Sequence, residues 1–199
     1  MDGPGNELPS KTEWRARVAA ERAAVSAGQR GQEATALAAA VAGLAGRTVC
    51  AYLPFGTEPG SVAMLDALVA RGAEVLLPVI PPAPGPLDWA VYQGTSSLVS
   101  GRLRGVSEPG GPRLGADAIS SAELILVPAL AVDRSGGRLG RGAGFYDRTL
   151  VLAAPSAARI ALVRDTELVD ELPMEAHDVR MTGVATPSSG FVDLSIRRQ

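Results

Sequence analysis

The sequence predicts an α/β protein in which a mostly parallel sheet forms the centre of one domain. Short apolar segments with strand character alternate with amphipathic helical segments, an order that is typical of parallel sheets. A length of 199 residues corresponds to one domain. The 46% of hydrophobic and 20% of charged residues are typical of a globular chain. We therefore expect a single domain over residues 10–199, preceded by a mobile tail at residues 1–9.

Two helices are expected before the first strand. Ser10 is a typical N-cap residue, and Glu13 follows it at the spacing of a capping box. Apolar side chains then recur at helical intervals, at Trp14, Val18 and Val25. Residues 28–31 contain two glycines and predict a break, after which an Ala-rich helix over 33–44 is closed by Gly46.

Apolar segments bounded by turn residues predict the strands of the sheet. The strong segments cover residues 48–53, 74–80, 123–127 and 159–163, and weaker ones cover 88–92 and 183–185. Further helices are expected over 61–69 and 145–152. The connections at 81–86, 101–115 and 129–144 are rich in Pro or Gly and are predicted as loops.

The composition excludes several classes of protein and site. A net charge of −2 gives no reason to expect nucleic acid or an anionic membrane as a partner. One His and one Cys exclude a multi-histidine metal site and an internal disulfide. The single lysine, Lys11, follows Ser10 rather than a glycine, which excludes a P-loop. The polar start and the absence of a long apolar run predict a cytoplasmic protein without membrane contact.

One segment, residues 138–147, carries the most chemistry, and we call it the glycine segment. Glycine stands at every second position from 140 to 144, which opens the backbone N–H groups to an anion. Arg138 and Arg141 supply forked donors suited to phosphate, and the helix start beyond them adds a favourable dipole. Asp147 stands where its carboxylate could reach a metal on the same phosphates. A phosphate site is therefore favoured over the alternative, a glycine-rich surface loop with solvated arginines.

The glycine segment, Arg-Leu-Gly-Arg-Gly-Ala-Gly-Phe-Tyr-Asp, resembles the signature of the 5-formyltetrahydrofolate cyclo-ligase family. Supporting likenesses lie at residues 11–15, 52–58, 108–109 and 177–178, so the resemblance runs from residue 11 to about residue 186. It implies a three-layer α/β sandwich related to ribose-5-phosphate isomerase and CoA-transferase-like domains. The implied partners are 5-formyltetrahydrofolate and ATP, and the implied oligomeric state is a monomer.

In the reaction that this resemblance implies, ATP phosphorylates the formyl oxygen of 5-formyltetrahydrofolate with the help of Mg²⁺. The folate nitrogen N10 then attacks the activated carbon, which gives 5,10-methenyltetrahydrofolate, ADP and phosphate. Phosphoryl transfer of this kind requires positioning and charge neutralisation rather than a nucleophilic side chain.

The resemblance also implies the site residues. ATP would contact Lys11, Thr12, Glu13, Trp14, Arg15, Arg138, Leu139, Gly140, Arg141, Gly142, Ala143, Gly144, Phe145 and Tyr146. The folate would contact Leu53, Glu58, Arg141, Gly142, Ala143, Gly144 and Phe145. Arg141 and Lys11 would be catalytic residues, and Asp147 and Asp178 would hold Mg²⁺.

Other readings of the same residues stay open at this stage. A sugar-phosphate isomerase-like enzyme would use the glycine segment for a substrate phosphate, and a folate- or nucleotide-binding protein would keep the pocket without turnover. Cys50 is expected to be a small core residue. Trp89 and Tyr92 could either wall the folate ring or pack in the core, and His177 could be structural, exposed or close to the nucleotide.

Overall fold

The computed structural model describes residues 8–44, 46–175 and 178–195. Most of the predicted N-terminal tail, and His177, lie outside the described residues. Within the described ranges, no helix combines the length and the apolar character that a membrane crossing requires.

The helices and strands alternate along the chain as expected. The helices are α1 (Lys11–Ala23), α2 (Ala27–Ala42), α3 (Val62–Ala70) and α4 (Phe145–Leu150). The strands are β1 (Thr48–Cys50), β2 (Glu74–Val79), β3 (Asp88–Val91), β4 (Leu98–Ser100), β5 (Ser107–Pro109), β6 (Leu124–Pro128), β7 (Ala131–Asp133), β8 (Arg138–Leu139), β9 (Ala158–Leu162), β10 (Leu168–Val169), β11 (Gly183–Thr186) and β12 (Gly190–Asp193). Short 3₁₀ turns lie at Thr95–Ser97, Ala116–Ser121 and Asp165–Glu167.

A seven-stranded sheet in the order β12-β11-β9-β6-β1-β2-β3 forms the centre of the molecule. Its inner strands are all parallel, and only the edge strands β12 and β3 run antiparallel to their neighbours. From β1 the chain first adds β2 on one side and later adds β6 on the other side. In open α/β sheets, this change of direction leaves a crevice at the carboxyl ends of the two strands.

Helices cover both faces of the sheet, which gives the predicted three-layer arrangement. Successive strand residues point to opposite faces, so Val49 packs on one side and Cys50 on the other. The first face is covered by α2 and α3, and the second by α4 together with the 3₁₀ turn at Ala116–Ser121. Burial on both faces explains why the strands are continuously apolar rather than alternating.

The predicted break at residues 28–31 is wrong, because α2 begins at Ala27 and continues through both glycines. Ser26 caps this helix by accepting a hydrogen bond from the backbone N–H of Gln29. A glycine inside a helix costs about 1 kcal/mol relative to alanine. The cap, worth about 1 kcal/mol, and the packing of the buried Leu37 and Val41 outweigh that cost.

Two segments predicted as loops contain short strands. Residues 101–115 include β5, which pairs with β4 in an antiparallel hairpin. Residues 129–144 include β7 and β8, which form a second hairpin that β10 extends. In the turn of the second hairpin, the Asp133 carboxylate accepts backbone N–H groups from Ser135 and Gly137, both at 2.8 Å. This local turn, rather than periodicity, organises the segment that leads into the glycine segment.

Candidate active site

A cavity of about 200 Å³ opens at the carboxyl ends of the central strands. The chain that leaves β1 contributes Tyr52 and Leu53 to its wall, and the chain that leaves β6 contributes Ala129. Ile80, just beyond β2, lines the same cavity. The cavity therefore occupies the crevice between β1 and β6, where the direction of chain crossing changes.

The chain after β1 and three further segments contribute most of the remaining wall of the cavity. The β4–β5 hairpin contributes Leu103, Val106, Ser107 and Glu108. The chain after β1 contributes Phe55 and Glu58, and α1 contributes Arg22. The glycine segment contributes Arg138, Gly140, Arg141, Gly142, Ala143, Gly144, Phe145, Tyr146 and Asp147. Aromatic and aliphatic side chains beside a few charged groups are typical of a site for a flat organic ligand.

The glycines of the glycine segment are required by the path of the backbone. Gly142 and Gly144 have φ angles of 97° and 70°, in the left-handed region that favours glycine. A Cβ atom at Gly140 would lie 2.8 Å from Nη1 of Arg138, too close for an ordinary contact. The helix that follows, α4, has only six residues, so its dipole adds less than the sequence suggests. The case for phosphate binding therefore rests on the open backbone and the arginines.

Arg141 and Glu58 face each other in the cavity as an ion pair. Nε of Arg141 lies 3.1 Å from Oε1 of Glu58, and its guanidinium lies 4.5 Å from the centre of the Phe55 ring. The Glu58 side chain is 7% exposed, whereas that of Arg141 is 48% exposed. Burial raises the pKa of Glu58, although Arg141 and the backbone N–H of Phe55 oppose the shift. Glu58 is thus a carboxylate whose charge depends on nearby cations and donors.

Arg138 lies under the cavity rather than at its opening. Its side chain is 6% exposed, and it pairs with Asp147 and donates to the carbonyl of Pro128 at 3.3 Å. Burial lowers the pKa of Arg138, and the Asp147 carboxylate opposes that effect. The guanidinium also lies 5.8 Å from the centre of the Tyr146 ring. Of the two arginines in the glycine segment, Arg141 is the more accessible to a ligand.

Lys11 and Arg15 lie beside the glycine segment without lining the cavity. Nε of Arg15 donates to the carbonyl of Gly140 at 3.0 Å. Nζ of Lys11 pairs with Glu175 at 2.9 Å and with Asp178 at 3.1 Å. Burial lowers the pKa of Lys11, but the hydrogen bonds to these two carboxylates outweigh it and raise the pKa above its ordinary value.

The neighbouring residues of α1 have other contacts, because adjacent positions of a helix point to different sides. Thr12 is exposed, and the Glu13 carboxylate accepts hydrogen bonds from Ser10 in the predicted capping box. Trp14 and Leu139 pack together in a small core between α1 and the β7–β8 hairpin. The structure does not bring Thr12, Glu13, Trp14 or Leu139 to the cavity, and their contact with ATP stays a prediction.

Asp147 lines the cavity and Asp178 does not, so their shared binding of Mg²⁺ stays a prediction. The part of the chain that the structure describes has no group of three or more His, Cys, Asp or Glu side chains that could hold a metal ion. Mg²⁺ is typically bound by one or two carboxylates together with phosphates and waters. Asp147 is 41% exposed, and Asp178 is held by Lys11. A Mg²⁺ ion held by these two carboxylates would therefore need phosphates and waters as its further ligands.

Two cavity residues, Arg22 and Glu108, were not predicted as site residues, although Glu108 lies in one of the supporting likenesses. Arg22 lies in a helix, where arginine is usually exposed, yet it is 2% exposed here. Glu108, which accepts the backbone N–H of Ile80 at 3.1 Å, reaches the cavity only through the unpredicted β4–β5 hairpin. Trp89 and Tyr92 are buried and do not line the cavity, so their core reading is the correct one.

Comparisons with known proteins agree on one family. A model of the 5-formyltetrahydrofolate cyclo-ligase family matches residues 7–187. The 5-formyltetrahydrofolate cyclo-ligase of Mycolicibacterium smegmatis is 53% identical over 191 residues, which cover 93% of this chain and 97% of the relative. The protein of the same name from Escherichia coli is 34% identical over 143 residues, which cover 71% of this chain and 78% of the relative.

Solved structures agree on the fold. The 5,10-methenyltetrahydrofolate synthetase of Aquifex aeolicus matches with a TM-score of 0.79 at 24% identity and covers 95% of both chains. That of Mycoplasma pneumoniae matches with a TM-score of 0.68 at 17% identity, over 88% of this chain and 98% of the other. The fold, the length of the family match and the identity to curated relatives are consistent with one another. The chain therefore belongs to the 5-formyltetrahydrofolate cyclo-ligase family, as its glycine segment predicted.

Proposed function

We propose that this protein converts 5-formyltetrahydrofolate to 5,10-methenyltetrahydrofolate in an ATP- and Mg²⁺-dependent ring closure that releases ADP and phosphate. The observation that carries the proposal is the meeting of Arg141 and Glu58 in one cavity, on the glycine segment and the chain after β1. One residue offers a cation to a phosphate, and the other offers an acceptor to a nitrogen-rich ring. Family membership supports the same activity.

The chemistry explains why this site has no need of a nucleophilic side chain. The γ-phosphoryl group moves from ATP to the formyl oxygen, which converts a poor leaving group into phosphate. N10 of the folate attacks the formyl carbon and loses its proton, and the carbon–oxygen bond breaks as phosphate leaves. The single cysteine, Cys50, is fully buried, and burial raises the pKa of its thiol to about 12. It is therefore unsuited to attack a substrate.

Each charged residue has a role that its position supports. Arg141 neutralises charge that develops on the transferred phosphoryl group, and the backbone of the glycine segment receives the other phosphate oxygens. Lys11 and Arg15 add positive charge beside the segment. Asp147 and Asp178 would hold Mg²⁺, which supplies charge neutralisation on the phosphates when bound.

Glu58 would accept hydrogen bonds from the amino-pyrimidinone edge of the pterin, while Leu53 and Phe55 pack against the ring. In the free protein, Glu58 and Arg141 satisfy each other. On substrate binding, each would exchange this partner for a substrate group. Binding of the folate to Glu58 would therefore release Arg141 toward the phosphate. This exchange avoids a buried charge without a partner at either stage.

A direct assay tests the proposal. The protein is mixed with ATP, Mg²⁺ and 5-formyltetrahydrofolate, and the near-UV absorbance of the methenyl product is followed together with ADP release. We expect both signals, and loss of both on omission of ATP or addition of a chelator. Folded protein that gives neither signal would contradict the proposal. Binding of both ligands without ADP release would indicate a binding protein instead.

A further inference from the structure

Arg22 forms a buried ion pair behind the cavity that the proposed reaction does not yet use. This residue is in the last turn of α1, is 2% exposed and lines the same cavity as Glu58. Its Nε and Nη2 atoms donate to the two carboxylate oxygens of Glu167 at 2.6 and 2.8 Å. Nη2 also donates to the carbonyl of Ala129 at 2.7 Å. Nη1 has no hydrogen-bond partner among the described residues.

This ion pair joins three segments, of which those with Arg22 and Ala129 line the cavity. Helix α1 carries Lys11 and Arg15, Ala129 follows β6 directly, and Glu167 ends a 3₁₀ turn. Glu167 is also held by the backbone N–H of Arg164, which donates to Oε2 at 2.8 Å. A buried ion pair gives little net stability, because apolar residues of similar volume frequently replace it without loss. The pair therefore calls for a reason other than stability.

The surroundings of Glu58 supply that reason. Arg141, Arg22, Tyr52 and Tyr146 line the same cavity as Glu58 and act on it electrostatically, and the backbone N–H of Phe55 donates to its carboxylate. The Tyr52 hydroxyl donates to the carbonyl of Pro59 at 2.6 Å, which fixes the backbone next to Glu58. Burial raises the pKa of Glu58, and Arg141 and Arg22 both lower it. When Arg141 turns to the phosphate, Arg22 still acts on Glu58 as a cation in the same cavity.

We propose that Arg22 is a positioning residue for folate binding, which keeps Glu58 available as a charged acceptor while Arg141 is engaged with the transferred phosphate. This inference rests on the proposed function. Glu167 and Ala129 hold the guanidinium in a fixed place, so its charge acts on Glu58 without direct contact with the substrate. Arg22 is on the same helix as Lys11 and Arg15, but its side chain lines the cavity and theirs do not.

The test removes both buried charges together. The double variant Arg22→Met/Glu167→Gln keeps similar volumes and leaves no buried charge without a partner, so it is expected to fold with a Tm close to that of the unmodified protein. We expect its KM for 5-formyltetrahydrofolate to rise by about tenfold or more, with the KM for ATP changed by less than about twofold. The acid limb of kcat/KM for the folate should move to higher pH, because loss of the Arg22 cation favours protonated Glu58.

Two further variants separate this role from a structural one. Glu167→Gln alone removes the anion that offsets the charge of Arg22. The acid limb of kcat/KM for the folate should therefore move to lower pH in this variant, opposite to its shift in the double variant. The control pair Arg134→Met/Asp170→Met breaks a surface ion pair whose side chains are 51% and 95% exposed, and should change neither KM nor pH profile. A folded double variant with the folate KM and pH profile of the unmodified protein would overturn the role of Arg22.

Calorimetric binding of 5-formyltetrahydrofolate, measured on the same variants, keeps this inference separable from the proposed function. If the unmodified protein binds the folate but gives no methenyl product, the proposed function fails. The role of Arg22 then stands or falls on the loss of folate affinity in the double variant. If the unmodified protein does not bind the folate, both proposals fail.

Discussion

Arg141 and Glu58 form the contact on which the proposed function depends. Their side chains meet at 3.1 Å, but their exposures differ, so only Arg141 has ready access to solvent. A carboxylate as buried as Glu58 needs a cation or donors to stay charged. In the proposed function, the pair holds both groups in the cavity until substrate groups replace each partner.

Replacement of Arg141 tests the phosphate half of this site. Arg141→Ala should lower kcat by about 10²–10³, the scale for one electrostatic donor in a transition state. The measurement is turnover of 5-formyltetrahydrofolate with ATP at saturation. Arg47→Ala, at an arginine whose side chain is 94% exposed, is the matched control and should leave kcat unchanged. A decrease in kcat of less than about threefold would indicate that Arg141 is a solvated loop residue.

The pH dependence of folate binding tests Glu58. Its pKa is raised above the ordinary value of 4.5, so it takes up a proton at higher pH than an exposed glutamate. Protonation removes an acceptor, and kcat/KM for the folate should therefore fall as the pH drops toward the raised pKa. In Glu58→Gln the value at neutral pH should be lower and the acid limb should disappear. An identical acid limb in the variant would assign it to another group.

At the scale of elements, the glycine segment is shaped by its backbone. Gly142 adopts a φ of 97°, which side chains rarely adopt, and its missing Cβ would lie 3.4 Å from Cζ of Arg15. Gly142→Ala should therefore reduce the free energy of unfolding by about 1–2 kcal/mol. It should also raise the KM for ATP. Chemical denaturation and steady-state kinetics measure the two effects.

Gly111→Ala is the control for that prediction, because a Cβ there meets nothing within 4 Å and the backbone is not left-handed. It should alter neither quantity. An unchanged KM for ATP in Gly142→Ala would show that the path of the segment is not needed for the nucleotide.

The glycines inside α2 predict the opposite effect. A Cβ at Gly31 would meet nothing within 4 Å, and the residue lies within the helix. Gly31→Ala should stabilise the protein by about 0.5–1 kcal/mol, because alanine loses less conformational entropy in a helix. Urea denaturation measures the change, and turnover should stay the same. Destabilisation would indicate that α2 is strained at this point.

Elements with a complete local signal were predicted well, and those that depend on pairing were not. The capping box of Ser10 and Glu13 formed as expected, as did the strong strands of the sheet. The β4–β5 and β7–β8 hairpins have strands of only two or three residues, too short to show a period. Their strands exist because partners lie alongside them, which a linear pattern does not contain.

At the scale of the whole molecule, the nucleotide should act as a stabilising ligand. A ligand that binds only the folded state at about 100 times its Kd stabilises it by about 2.7 kcal/mol, which corresponds to a Tm increase of about 5–10 °C at this size. We expect this increase with ATP and Mg²⁺ in thermal melts. The Tm increase should shrink on addition of a chelator. AMP should cause only a small increase, because the glycine segment is assigned to the terminal phosphates. An equal shift with AMP would contradict that assignment.

The cyclo-ligase family and the α/β fold predicted from the motifs are confirmed for the whole molecule, whereas a monomeric state and a cytoplasmic location stay predictions. The sequence by itself determined the open backbone and the charge of the glycine segment, because alternate glycines and flanking arginines are local features; its binding of phosphate stays a prediction. It also determined most helices, through their periodicity, and the buried strands, through their continuous apolar runs. The resemblance to the family identified Glu58 and Arg141 as site residues, but it did not indicate that they pair.

Only the tertiary structure decided which of these residues meet. The chain crosses in opposite directions from β1, which places Leu53, Glu58 and the glycine segment around one cavity. The same packing buries Arg138, leaves Lys11 outside the cavity and buries Arg22 in the wall that also contains Glu58. These outcomes depend on contacts between residues more than a hundred positions apart, such as Arg22 and Glu167. Such contacts are set by the packing of the sheet and helices, and no local pattern of residues records them.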